Sequence, residues 1–280
     1  MIRLALSESE RAKLRFLPVR DHYDRDRWVA AVKQGVAPRA SGGGVLLVGH
    51  HKDATSAYLH DFPGWTLDDV GRQGEVHASA LLNGSLNGAL AAMVDQAPAS
   101  SLQFLRAWAA LPYYANLARE WDSLRQEKAK WHSAPYAPVF VTVDAVVQCG
   151  REVLLIRRGR HPGLGLYAIP GSFLEQRETV YQSALRELGD ETGLHLLPDD
   201  MRHALKAVRV FDHPDRSQRG RVITHAHYFD LGARRAPEPV AGDDASSAEW
   251  VPIEKLGAME DQFHDDHFHI LDFFLSLSTA

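Results

Sequence analysis

The sequence predicts an α/β protein of two domains, and three observations predict it. A chain of 280 residues that is 45% hydrophobic can bury two modest cores. The first third alternates short apolar runs with a polar helix-like stretch, while the second half strings together β-rich runs around one well-capped helix. Between them, residues 86–133 show apolar residues at helical spacing.

Taken in order, FLPV from Phe16 reads as a strand, Asp24–Val36 as a helix, and Val45–Val48, after three glycines, as a strand of a parallel sheet covered on both faces. This describes an open α/β layer. Residues 86–133 read as helices interrupted at Pro112, and HSAPYAP is a connector, so the boundary falls near 133 and the domains are 1–133 and 134–280. Beyond it, VFVTVDAVVQ and EVLLIRR flank Cys149, Gly150 and Arg151 as a hairpin would. AIPGSFL, KAVRVFD, VITHAHYFDL and AEWVP are further strands, with helices at 180–192 and 263–276. The second domain is therefore a mixed sheet with few helices.

A net charge of −5 gives no electrostatic reason to approach nucleic acid or an anionic membrane. The single cysteine, Cys149, forbids an internal disulfide and suits a reducing compartment, so cytoplasm is the expected location. The N-terminus lacks the apolar core of a signal peptide, and no stretch reaches the roughly 20 apolar residues of a membrane span.

The chemistry concentrates in PGSFLEQRETVYQSALRELGDETGL, residues 170–194. Thr179 and Gln182 form a capping-box pattern, Val180, Ala184 and Leu188 recur every four residues, and Gly193 sits where a helix would end. On that helix Glu187, Asp190 and Glu191 project from one face. Clustered carboxylates repel, and hard oxygen donors select magnesium, manganese or calcium. The plainer reading, a solvated face with Arg186 paired to Asp190, suits the short fragment alone.

The wider pattern resembles the Nudix box: Glu178, Arg186, Glu187, Leu188, Asp190, Glu191, Gly193 and Leu194 fall at that family's spacing. Ser172 stands where the box has a glycine, with Gly171 just before it, and Asp190 replaces a glutamate. Ser172 requires only that the loop need no positive φ there. The resemblance implies an α/β/α sandwich with a mixed sheet and hydrolysis of a phosphoanhydride. It implies metal ligation by Glu187, Asp190, Glu191 and the Gly171 carbonyl, with magnesium expected and manganese an alternative. Glu178 and Arg186 orient the ligands, and Glu187, Glu191, Asp243 and Asp244 are open candidates for the base.

FDHPDRSQRGRVITHAHYF, residues 211–229, resembles the matching segment of ADP-ribose pyrophosphatases and related ADP-ribose-sensing regulators. The resemblance makes Arg216, Arg219 and Arg221 candidates for substrate phosphates, against the plainer reading of a solvated turn. The C-terminal cluster of His264, Asp265, Asp266, His267 and His269 reads instead as an amphipathic terminal helix, with Asp266 and His267 structural.

VRDHYDRDRWVAAVKQGV, VGHHKDATSAYLHDFPGW and EVHASALL resemble the adenylyltransferase half of bifunctional nicotinamide-mononucleotide adenylyltransferase/ADP-ribose pyrophosphatases. The resemblance implies a truncated Rossmann-like nucleotidyltransferase domain. The family's first phosphate motif has no counterpart, and its Ser/Thr-x-x-Arg motif falls on Ser79, Ala80, Leu81 and Leu82, where leucine replaces arginine. His50, His51 and Lys52 read as an exposed turn. The expected function is metal-dependent conversion of ADP-ribose to AMP and ribose 5-phosphate. A noncatalytic ADP-ribose sensor, or a bifunctional enzyme if the N-terminus is incomplete, are the alternatives. The expected partner is a small nucleotide, with no nucleic acid or membrane; pairing among related pyrophosphatases leaves a homodimer open.

Overall fold

A computed structural model describes every residue except 40–42, 52–53, 72–77, 90–96, 234 and 278–280. Lys52 and part of the helical run expected from residue 86 lie outside the described residues. The chain divides into two compact units, Met1–Ala118 and Arg119–Ala280.

In the first unit, α1 (Ile2–Ala5), α2 (Glu8–Lys13) and α3 (Arg25–Val36) precede β1 (Leu46–Gly49) and β2 (Thr66–Asp69), which pair in parallel. Next come α4 (Ala78–Leu86), α5 (Ala99–Ala109) and the start of α6 (Tyr114–Ala129). FLPV is not a strand: Pro18 has no N–H to give a ladder, and the segment stays irregular. Leu46 and Val48 are more than half exposed, so β1 is not covered on both faces as its apolar run predicts. Trp28 meets the edges of Tyr58 and Phe62, and Phe62 stacks on Trp65.

The division between units falls inside α6 rather than at the HSAPYAP connector near 133. The reason is visible in the packing. Glu120 bonds to His161 and Gly163, and Trp131 meets Phe140, so the end of α6 belongs with the second unit.

That unit is built on β3 (Val139–Cys149), β4 (Glu152–Arg158), β5 (Tyr167–Ala168), β6 (Gly171–Phe173), β7 (Leu205–Phe211), β8 (Arg221–Asp230) and β9 (Ala245–Pro252). The sheet runs β5-β4-β3-β8-β7, with β6 also pairing β3 and β9 pairing β4. β3 and β8 are parallel from Val139↔Arg221 to Gln148↔Asp230, while the other pairs are antiparallel, which makes the sheet mixed. Gly150, at φ +60°, turns β3 into β4. AIPGSFL is two strands because Pro170 cannot donate between them.

Two-residue periodicity assigns each strand's side chains to two cores. Val146, Val153 and Leu155 face α10 (His267–Leu275), where Phe268, Ile270 and Leu271 are buried. Ala145, Val147 and Leu154 face α7 (Val180–Thr192) and α8 (Pro198–Ala204), meeting Leu188 and Met201. The short α9 (Ile253–Leu256) contributes Leu256 to the first core. The result is an α/β/α sandwich. The helix expected at 263–276 begins at His267, and α8 was not foreseen, since seven residues carry too little periodicity.

Candidate active site

α7 starts and stops as its sequence dictates. The Thr179 hydroxyl accepts from the Gln182 N–H while the Gln182 side chain accepts from the Thr179 N–H, and Gly193 ends the helix at φ +65°. Leu188 commits one stripe to the core, which places Glu187 and Glu191 at the buried margin, at 5% and 3% exposure. Asp190, about 100° round the helix from Glu191, is half exposed. The three acids are thus not equivalent members of one face.

Arg186 supplies the positive charge. Its Nε donates to both Glu178 oxygens at 2.9 and 3.0 Å, and its Nη1 donates to Glu187 at 2.8 Å and Asp190 at 3.4 Å. Ser183 donates to Glu178 from one turn into the helix. These contacts hold Glu178 below the usual carboxylate range, Arg186 first and Ser183 next. Glu187 is pushed up by burial, against the pull of Arg186.

Among the described residues, no arginine forms an ion pair with Glu191. Its Oε2 accepts the Gly171 N–H at 2.8 Å. Burial above all, with Asp244 and Glu187 nearby, pushes its carboxyl up to about 9. Gly171 is a glycine because of a close approach: a Cβ there would lie 2.2 Å from the Val143 carbonyl and 2.7 Å from Asp144 Oδ1. Ser172, by contrast, is not among the positive-φ positions, so a serine is accommodated.

Beside Gly171 opens a cleft of about 330 Å³ within the second unit. Gly171, Ser172, Asp144 and Asp244 line it together with Arg158, Arg160, Arg216 and Arg219. Arg160 Nε lies 2.7 Å from Asp244 Oδ2, and Arg158 Nε donates to the Pro162 carbonyl at 2.8 Å. The Thr224 hydroxyl donates to Asp144, whose carboxyl burial pushes up.

The expected arginine trio separates. Arg216 lines the cleft but is 4% exposed and gives two nitrogens to Asp266 at 2.7 and 2.8 Å. Arg221 does not line it; it starts β8 and donates to the Asp212 carbonyl. Arg219 remains: its guanidinium lies over Phe173, and its Nε is buried without a hydrogen-bond partner. Asp266 holds Arg216, and His267, which lines the cleft, accepts the Ile169 N–H through Nδ1 at 2.9 Å. Arg158, Arg160 and Asp144, all lining the cleft, were not singled out from sequence, and Asp265, which also lines it, was read there as part of a terminal helix. The two arginines follow a strand as RRGR, a signal easily read as a solvated turn.

Among the described residues, no three His, Cys, Asp or Glu side chains converge as a ready ligand set, because Arg186 draws Glu187 and Asp190 to itself. The donors nonetheless fit a hard cation: they are all oxygens, and Glu191 is an acid short of positive charge among Glu187 and Asp244.

Residues 138–274 match the family model of the NUDIX domain, and the C-terminal unit is a Nudix domain. Among curated proteins, the ADP-ribose pyrophosphatase of Methanocaldococcus jannaschii is 36% identical over 116 residues, 41% of this chain and 63% of that protein. The nicotinamide/nicotinic acid mononucleotide adenylyltransferase of Acinetobacter baylyi is 31% identical over 124 residues, 43% of this chain and 64% of that protein. The chain thus spans less than two thirds of the length of these relatives. The crystal structure of a bifunctional NMN adenylyltransferase/ADP ribose pyrophosphatase from Francisella tularensis matches at a TM-score of 0.87 and 29% identity, covering 98% of this chain and 83% of that one. A second structure of that enzyme, complexed with AMP and a Mn ion, matches at 0.83. The first unit is accordingly nucleotidyltransferase-like in fold.

Proposed function

We propose that the Nudix domain hydrolyses the diphosphate of ADP-ribose, giving AMP and ribose 5-phosphate. The observation that carries this reading is the cleft itself, whose lining combines Asp144, Asp244 and Asp265 with Arg158, Arg160 and Arg219 beside Gly171. Such a lining suits a diphosphate, because guanidinium groups bind phosphoryl oxygens with charge and geometry together. The 36% identical ADP-ribose pyrophosphatase supports the choice of substrate.

Magnesium, or manganese in its place, held by Glu187, Asp190, Glu191 and the Gly171 carbonyl, would supply Lewis-acid polarisation of the phosphoryl oxygens. The chain's own residues do the rest. Arg219, with its unpartnered Nε, orients a phosphate; Arg186, anchored on Glu178, keeps the acids of α7 in register; Asp244, fixed by Arg160, sits beside Glu191. Water attacks one phosphorus and the bridging oxygen leaves on the other phosphate.

Incubation of the purified chain with ADP-ribose and magnesium, with AMP measured, is the test. Absence of turnover at millimolar magnesium or manganese would overturn the reading. A second reading, an added adenylyltransferase activity, is favoured by the fit to the bifunctional structure across 98% of the chain. Leu82, 45% exposed where that motif has arginine, opposes it. Pyrophosphate release from ATP and nicotinamide mononucleotide decides between them.

A further inference from the structure

We infer that Glu120, on α6 and outside the segment matched to the Nudix family, is a positioning residue for the cleft; this rests on the reading of that cleft as the substrate site. One Glu120 oxygen meets His161 Nδ1, and the other accepts the Gly163 N–H at 2.7 Å. His161 and Pro162 line the cleft. Gly163, at φ +83°, packs so closely on the His264 ring that a Cβ would lie 2.4 Å from its Nδ1.

The ends of the loop 159–165 are tied to β4, with the Gly165 N–H donating to the Arg158 carbonyl at 2.8 Å and Arg157 Nη1 to the Gly165 carbonyl at 2.9 Å, while Glu120 holds its middle. Gly159 N–H donates to the Asp244 carbonyl at 2.7 Å, Arg158 reaches back to the Pro162 carbonyl, and Arg160 pairs with the Asp244 carboxylate. A continuous set of contacts therefore runs from Glu120 through the loop to Arg160 and Asp244. Removing Glu120 leaves the Gly163 N–H and the His161 ring without their partner and frees the wall that carries two cleft arginines. Glu127, on α6, and Lys130, just past its end, line the same cleft, so the end of this helix is part of the site's wall.

The test compares Glu120→Ala and Glu120→Gln in the full chain. Glutamine keeps an oxygen for the Gly163 N–H and an N–H for the His161 ring. Glu120→Ala should raise KM for ADP-ribose about tenfold with kcat changed far less, and hydrogen exchange of the 159–166 segment should quicken; Glu120→Gln should restore both. Equal KM and equal exchange in Glu120→Ala and wild type would overturn the proposal, as would a loss of kcat alone. If wild type itself does not turn over ADP-ribose, the functional reading fails by itself. The loop anchor is then judged by exchange and by calorimetric affinity for ADP-ribose, where equal values in wild type and Glu120→Ala again overturn it.

Discussion

Replacing Gly171 by alanine tests whether backbone contact, rather than backbone freedom, fixes this glycine. The added Cβ would lie 2.2 Å from the Val143 carbonyl, 2.7 Å from Asp144 Oδ1 and 2.9 Å from Asp144 Cα. Two of these are backbone atoms of β3, a central strand, so they cannot swing away as a side-chain end would. Either β6 separates from β3 or β3 moves. Overpacking of this kind costs about 1–3 kcal/mol. Separation also breaks the Gly171 N–H bond to Glu191, of the charged class worth roughly 1.5–3 kcal/mol. The expected loss is about 3–5 kcal/mol, or a fall near 10 °C in the melting of a unit this size. Hydrogen exchange of the β3 amides reads the opening of that unit separately from the first, and turnover should fall at least about 100-fold as Glu191 loses its anchor. Ser172→Gly is the control: it supplies the glycine of the family pattern where no positive φ demands one, and should change stability by about 1 kcal/mol or less. A Gly171→Ala protein with wild-type exchange and turnover would refute the reasoning.

Arg219→Ala should raise KM for ADP-ribose by about tenfold or more with little effect on folding, whereas Arg216→Ala should destabilise by about 3–5 kcal/mol by stranding Asp266 in the core; comparing KM with urea unfolding separates them. Equal effects of the two in both assays would show that the assignment is wrong. Burial pushes the His264 imidazole down to about 4, and His267 is likewise held well below its usual range. The folded state then binds fewer protons than the unfolded one, so this stability is present above pH 6.5 and lost as pH falls towards 4. His264→Gln should remove roughly 3 kcal/mol of that acid sensitivity, at about 1.4 kcal/mol per pH unit, read from urea midpoints at pH 7 and pH 4.5; Asp266, pushed up to about 6 by burial, acts in the opposite sense in both proteins and cancels from the comparison. Glu178→Gln should loosen Arg186 and raise the magnesium concentration for half-maximal turnover several-fold, and an unchanged magnesium dependence would remove Glu178 from its orienting role.

The second unit was legible where local rules and tertiary structure agree. Thr179, Gln182 and Gly193 fix the ends of α7 by chemistry confined to the helix, and the strands of the mixed sheet show as β-rich runs. Pairing was not legible: nothing in VFVTVDAVVQ says that β3 lies parallel to β8, eighty-two residues away at Asp144↔Ala226 and its neighbours. The arginines illustrate the same limit. Arg216, Arg219 and Arg221 look alike in sequence, and only the fold gives Arg216 to Asp266, Arg221 to a carbonyl and Arg219 to the cleft. Glu120 was invisible because its partners, His161 and Gly163, are brought to it only when the end of α6 packs with the second unit.

The charge distribution around α7 explains why the helix tolerates so many acids before any ligand arrives. Glu178, Glu187 and Asp190 share Arg186, but unequally: Glu178 takes two contacts and is braced by Ser183, Glu187 takes one, and Asp190 takes a longer one at 3.4 Å in partial solvent. A cation that took Glu187 and Asp190 would still leave Arg186 its two Nε contacts with Glu178. Glu191 has no such substitute and instead holds a raised affinity for a proton. Binding a cation there displaces that proton, so occupancy should strengthen with pH through the neutral range. Glu178, the glutamate of the pattern that lies farthest in sequence from the acidic cluster, is thus the acid that takes the most contacts from Arg186.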